Sequence, residues 1–296
     1  MREVCGVWSA IKHLEIHDGP GVRTTLFLKG CPLACRWCHN PEGISKKAEI
    51  AYYAHKCENC GACASVCPHG AHTMIGHRHA FDRSKCVACG ACAEICGARA
   101  LTLFGKKATA EALLPELLLD QPFYKATGGG VTVSGGEPLC QADFVAELAD
   151  CLRAHDVGLA IDTSLAVPEA ALAKVIGKAE IFLCDVKAMD PALHKKLTGM
   201  SNAGILANFR YLADRRVPVE IRVPFVPGVN DGEMPAIAAF VATLGNVKAV
   251  KALAYHDMAR TKYEALGRKY RLPDIVPPTA GQLAEIQSLF DCAIRR

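Results

Sequence analysis

The sequence lacks three features that would place it elsewhere. It has no uninterrupted apolar run of about eighteen residues, so no membrane span is expected. Its N-terminus has no apolar run after the early charge, so no secretory signal is read and a cytoplasmic protein is expected. It has no long Lys/Arg block and no nucleic-acid motif, so nucleic acid is not an expected partner. What remains is a chain of 296 residues, 51% hydrophobic, enough for one large domain or two smaller ones around a buried core.

Cysteine is abundant, at sixteen residues. Five are scattered (Cys5, Cys140, Cys151, Cys184 and Cys292) and read as small buried hydrophobes. The other eleven fall in three tight clusters, which favours metal over disulfides when no signal peptide is read. Cys31, Cys35 and Cys38 form a Cys-x3-Cys-x2-Cys loop directly after the apolar run 24–28, which reads as a buried strand. Three thiolates can hold one cubane iron–sulfur cluster by three of its four irons, leaving one iron open for chemistry. A zinc site completed by His39 is the weaker alternative, because structural zinc usually takes two separated ligand pairs.

The remaining eight cysteines repeat one pattern. Cys57, Cys60, Cys63 and Cys67-Pro68 form one bacterial ferredoxin run; Cys86, Cys89, Cys92 and Cys96-Gly97 form a second. In two-cluster ferredoxins the fourth cysteine of each run serves the other cluster. One set is then Cys57, Cys60, Cys63 and Cys96; the other is Cys86, Cys89, Cys92 and Cys67. A double zinc knuckle is the distant alternative. Eleven thiolates and three cores of about +2 would turn the formal charge of +4 into about −1, so no basic-protein argument survives.

Residues 49–104, which carry both runs, interrupt a longer pattern of alternating strands and helices. Strands are expected near 24–28, 131–133, 159–161, 181–183, 219–223 and 247–253. Helices are expected at 109–119, 141–154, 168–176, twice within 191–215, at 233–244 and at 279–293. The fold class is α/β: a partial (β/α)6 barrel over residues 1–48 and 105–296, with a small α+β ferredoxin-like dicluster domain inserted at 49–104. An unusual group follows each strand: the three cysteines, Ser134-Gly135-Gly136-Glu137-Pro138, Asp162-Thr163-Ser164, Asp185-Val186-Lys187, Pro224-Phe225-Val226-Pro227-Gly228 and Tyr255-His256. In parallel barrels the carboxyl ends of the strands carry the active site.

The cysteine spacing, with aromatic Trp37 before the third cysteine, resembles the radical S-adenosylmethionine superfamily. The flanks, His17-Asp18-Gly19-Pro20-Gly21-Val22-Arg23-Thr24 and Trp37-Cys38-His39-Asn40-Pro41-Glu42, look like the glycyl-radical-enzyme activating enzymes. That resemblance implies a catalytic cluster on Cys31, Cys35 and Cys38 whose open iron binds S-adenosylmethionine. It implies one-electron cleavage to methionine and a 5′-deoxyadenosyl radical, and hydrogen abstraction from a backbone glycine of a partner glycyl radical enzyme. It places Gly135, Gly136 and Glu137 at the methionyl amino group, with Glu137 supporting the loop. It places Asp162, Thr163 and Asp185 near a monovalent cation, Val186 and Lys187 against the cofactor, and His256 near the ribose. Trp37, Cys38, His39 and Arg222 join the implied cofactor contacts, and Asp18 lies near the substrate polypeptide. Flavodoxin or ferredoxin is the implied electron donor, and a monomer is expected.

The sequence departs from the family pattern in places. Ala254 stands where proline is common, Met258-Ala259 replaces a Leu-Gly pair, and Ser164-Leu165 lacks the glycine often seen after Asp-Thr. Two rival readings stand beside the activating enzyme: a radical enzyme acting on a small molecule, and a multi-cluster electron carrier. The carrier leaves the three-cysteine loop unexplained.

Overall fold

The computed structural model describes residues 3–295. The chain begins with a strand, β1 (Cys5–Glu15), and returns antiparallel as β2 (Arg23–Leu28). A segment with β3 (Glu49–Tyr52), β4 (His72–Ile75), β5 (Arg78–Phe81) and β6 (Leu101–Phe104) follows. A short β7 (Lys106–Thr109) then pairs antiparallel with β1. The strands β8 (Gly130–Gly135), β9 (Gly158–Thr163), β10 (Ile181–Asp185), β11 (Val219–Phe225) and β12 (Val247–Ala254) alternate with helices. The main sheet runs in the order β12-β11-β10-β9-β8-β2-β1-β7.

Six strands, β2 and β8 to β12, pair in parallel, as the alternating pattern predicts. The sheet is nevertheless eight-stranded, because β1 and β7 extend it on one side. Neither added strand reads as such in the sequence: β1 interleaves Lys12 and His13 with its apolar residues, and β7 is only Lys-Lys-Ala-Thr. The sheet does not close, since β7 and β12 lie at opposite ends of the order.

Strand period sorts the side chains into two faces. Leu26, Leu28, Val131, Val133, Ile161, Phe182, Cys184 and Ile221 point to the main core, where they meet Leu148, Phe209 and Ile237 from the helices. Each fully buried side chain of this kind contributes about 1.5–3 kcal/mol. The alternate residues, Thr25, Thr132, Ser134, Asp162, Asp185 and Arg222, carry the polar groups of the opposite face. Of the scattered cysteines, only Cys184 is fully buried; Cys5 and Cys292 are exposed, against the expectation.

The helices start and stop for local reasons. Thr109 caps the helix Ala110–Leu117 by accepting from Ala112 N–H at 3.2 Å. Residues 191–215 do hold two helices, Pro191–Thr198 and Ala203–Asp214, separated at Gly199, whose φ of 88° few other residues adopt. The last helix, Ala280–Ile294, begins with a Thr279/Gln282 capping box. Its Gln287 lies against the outer edge of β12, donating to the Val250 carbonyl (2.8 Å) and accepting from Ala252 N–H (3.0 Å).

Within the segment between β2 and β7, β3 pairs antiparallel with β6, and β4 with β5. Two short helices, Ala62–Val66 and Ala91–Ile95, each follow a glycine at positive φ, Gly61 (77°) and Gly90 (93°), so the sequence repeat is also a structural one. Arg83 fastens this segment to the main sheet side, donating to the carbonyls of Ile50 (2.7 Å) and Ala265. Lys29, fully buried at the end of β2, bonds Glu49 at 3.0 Å, and Arg268 pairs with the same carboxylate.

Gln287 supplies two of the bonds that a neighbouring strand would give β12. Removing one buried bond costs about 1 kcal/mol, a factor of about five in local opening. Gln287→Ala is expected to speed hydrogen exchange at the Ala252 amide at least about fivefold, with the central strands unchanged.

Candidate active site

The three-cysteine loop leaves β2 and is held from both sides by backbone. Gly30 N–H donates to Gly43 (2.7 Å) and Cys31 N–H to Ile44 (3.0 Å). Ala34 and Arg36 donate to the carbonyls of Thr198 (2.7 Å) and Leu197 (3.0 Å) at the end of a helix, where carbonyls lack intrahelical partners. The turn after β8 fits beneath: Gly136 N–H donates to Leu28 (2.9 Å) and Glu137 N–H to Gly30 (2.8 Å). A Cβ on Gly136 would meet the Gly43 carbonyl at 2.4 Å and that of Gly30 at 2.6 Å. Glycine is required there because two stretches of backbone touch.

Cys31, Cys35 and Cys38 line one cavity of about 230 Å³ together with Trp37 and His39. Gly135 and Gly136 line it from β8, Asp162 and Thr163 from β9, Asp185 and Lys187 from β10, and Arg222 from β11. These predicted residues therefore meet in one place. Burial pushes all three thiols upward, Cys38 to about 12, so metal must displace their protons.

The charged groups of the cavity are mutually fixed. Lys187 Nζ donates to Asp185 at 2.5 Å. Burial alone would lower that lysine, but Asp185 and Cys35 outweigh it and hold it above its ordinary value. Arg222 Nη1 stands 3.5 Å from Asp162 and 3.8 Å from Asp18, its Nε is 3.4 Å from Glu220, and its Nη2 donates to the His17 carbonyl at 2.6 Å. Burial raises the Asp162 carboxyl to about 6, against the pull of Arg222, while Ser134 Oγ donates to it at 2.6 Å.

Four predicted residues lie elsewhere. Val186 is out of phase with Asp185 and Lys187 and belongs to the main core. Glu137 is fully buried behind the turn; it accepts from Thr163 Oγ1 (2.7 Å), Ser164 N–H (2.8 Å) and Ser164 Oγ (2.6 Å), tying the ends of β8 and β9. Asp18 sits beyond Arg222: its carboxylate accepts from Thr25 Oγ1 at 2.8 Å and its carbonyl from Thr132 Oγ1 at 2.6 Å. His256 stacks on His39, centroids 4.0 Å apart, and its carbonyl accepts from His39 Nε2 at 3.1 Å. Its Nδ1 is buried without a partner among the described residues.

One contributor carries no signal in the sequence. Lys262 Nζ donates to the His39 carbonyl (3.1 Å), Asn40 (3.2 Å) and Glu42 (2.6 Å), gripping the cysteine loop from a distant helix. Tyr255 packs with Trp37, Leu197 and Val226, so the indole of Trp37 is mainly a packing group.

The other cysteines gather in two small cavities. One is lined by Cys57, Cys60, Cys63 and Cys96; the other by Cys67, Cys86, Cys89 and Cys92. In each, three cysteines come from one run and the fourth from the other.

The chain matches the Radical SAM superfamily over residues 96–241 and the 4Fe-4S single cluster domain over residues 17–167. It is 37% identical to the (2S)-3-sulfopropanediol dehydratase activating enzyme of Klebsiella oxytoca, covering 91% of this chain and 88% of that one. It is 39% identical to the choline trimethylamine-lyase activating enzyme of Oleidesulfovibrio alaskensis, over 88% and 86% of the two chains. It is 37% identical to the trans-4-hydroxy-L-proline dehydratase activating enzyme of Clostridioides difficile, over 96% and 95%. The chain belongs to the glycyl-radical-enzyme activating enzymes of the radical SAM superfamily.

The contact at Gly136 leaves no room for a methyl group. Gly136→Ala is expected to push the cysteine loop off the turn and lower iron at the three-cysteine site, read as a loss of up to about four irons per chain.

Proposed function

We propose that this chain installs a glycyl radical on a partner enzyme, using S-adenosylmethionine and a 4Fe–4S cluster held by Cys31, Cys35 and Cys38. The observation that carries the reading is the convergence of these three thiols with Gly136, Asp162, Asp185 and Lys187 on one cavity. The donor set fits the group: three soft thiolates satisfy three irons and leave the fourth open. A reduced cluster held by these cysteines would supply the one electron needed to cleave S-adenosylmethionine to methionine and a 5′-deoxyadenosyl radical able to take hydrogen from a backbone glycine.

The chain's own residues bind and orient. The turn at Gly136 presents backbone to the methionyl amino group. Asp162, Thr163 and Asp185 offer hard oxygens suited to a monovalent cation. Lys187 balances Asp185 and the thiolates. The unpartnered Nδ1 of His256, stacked against His39 beside the cavity, suits a ligand hydroxyl such as that of a ribose. Arg222 holds the Asp18 turn against the polar face, where the carboxylate can accept N–H bonds from a partner's glycine loop.

Residues 49–104 act in this reading as an inserted ferredoxin-type domain with two further 4Fe–4S clusters. The fourth cysteine of each run joining the other run's cavity supports it. Fully ligated clusters have no open iron, so their role is to relay electrons from flavodoxin or ferredoxin. The activator itself works as a cytoplasmic monomer.

Anaerobic reconstitution is expected to give about twelve irons per chain, falling to about eight in Cys35→Ala, which should not cleave S-adenosylmethionine. Zinc in place of iron, or cleavage by that variant, would remove the assignment. Asp18→Ala is expected to keep iron and cofactor binding while slowing glycyl-radical formation about ten- to a hundredfold, the worth of one buried bond to a charged group. Electron paramagnetic resonance on the partner measures it; an unchanged rate at subsaturating partner would take Asp18 out of the substrate site.

A further inference from the structure

The hairpin β4–β5 separates the two cysteine runs and places two histidines between the two small cavities. His79 lines the cavity of Cys57, Cys60, Cys63 and Cys96, while His72 lines that of Cys67, Cys86, Cys89 and Cys92. His72 Nδ1 and His79 Nε2 are 2.9 Å apart. Phe81 stacks on His72 at 4.6 Å, and Tyr52 meets His79 edge-on at 4.8 Å. The His79 Nδ1 faces Cys57 Sγ at 3.9 Å, within reach of a large sulfur acceptor. The backbone N–H of His79 donates to Asn59 Oδ1 at 2.9 Å, which fastens the hairpin to the loop between Cys57 and Cys60.

The backbone donors around the two cavities differ. Ala71 N–H donates to Cys67 Sγ and Ala88 N–H to Cys86 Sγ, both at 3.4 Å, in one; in the other Ala100 N–H donates to Cys96 Sγ at 3.3 Å. His69 and His72 line the second cavity, but among the described residues the His79 ring is the imidazole within hydrogen-bond reach of a cysteine sulfur. One proton lies between the two rings at 2.9 Å, and a Cys57 thiolate holding iron can only accept. One arrangement of neutral rings serves both contacts. His72 Nδ1–H donates to His79 Nε2, and the proton of His79 then sits on Nδ1, aimed at sulfur. An N–H donated to a cluster sulfur favours the reduced, more negative state.

We propose that His79, its tautomer fixed by His72, donates to Cys57 and makes the Cys57–Cys60–Cys63–Cys96 cluster easier to reduce. His79 is a positioning residue acting through the cysteine. The inference rests on the two-cluster reading of this segment. A rival occupant exists, because the ligand atoms of Cys63, His72 and His79 lie within 4.8 Å of one another and could grip a single metal ion.

The test is a redox titration of the full reconstituted chain, followed by electron paramagnetic resonance, with iron and zinc counted in each sample. In His79→Leu, one of the two inserted clusters is expected to show a reduced-to-oxidised ratio about tenfold lower at a fixed potential. The other cluster should stay in place. His79→Asn keeps an N–H near the Nδ1 position and is expected to recover most of that loss. Unchanged ratios in His79→Leu with iron retained would overturn the proposal, as would equal shifts in both clusters. Loss of iron in both variants, or zinc bound in the wild type, would make the histidines ligands or structural supports and also overturn it. A wild-type chain holding only about four irons would instead remove the two-cluster reading itself.

Discussion

Everything in the site depends on backbone meeting backbone where the three-cysteine loop rests on the turn after β8. Gly30, Gly43 and Gly136 meet there with no side chain between them, and the N–H groups of Gly136 and Glu137 bond across the seam. The contact fixes the thiols relative to the strand ends more stiffly than side-chain packing would. It brings soft sulfur within one small cavity of the hard oxygens on β9 and β10. Glu137 contributes from behind, a buried carboxylate that locks the turn to β9 and touches no part of the cavity.

The polar face of the sheet sets a second constraint. Asp18, Asp162 and Glu220 come from three separate parts of the chain and share one guanidinium. Removing several carboxylates from water is costly unless a cation of fixed geometry compensates them, and arginine's planar fork suits the task. Arg222 thereby couples the floor of the cavity to the turn at residues 16–22. A strand position that reads as ordinary alternation is the electrostatic centre of the site.

How much of this was legible follows from periodicity. The six parallel strands were readable because short runs of apolar and β-branched residues, as in 24–28 and 131–133, recur between helical segments. The added strands β1 and β7 were not, since β1 mixes charged with apolar residues and the edge strand β7 is four residues with two lysines. Residues just after strands announced the cavity, yet the same rule misassigned Val186: strand alternation continues past Asp185 and turns every second side chain into the core. Lys262 was invisible, because its partners lie more than two hundred residues away and nothing local marks it. Asp18 was legible as a turn, but its bonds to Thr25 and Thr132 exist only once β2 and β8 are paired.

The open sheet brings a hazard of its own. Unpaired edge groups invite foreign strands to add on, and a protein that must receive an extended loop would be a ready template. Here both edges are blunted. The amide of Gln287 occupies two of β12's outer bonding positions, and β7 carries the exposed Lys106 and Lys107. Strand addition is thereby disfavoured at either edge. The edge chemistry acts as a filter on the mode of approach, discouraging sheet-building encounters while leaving the face accessible.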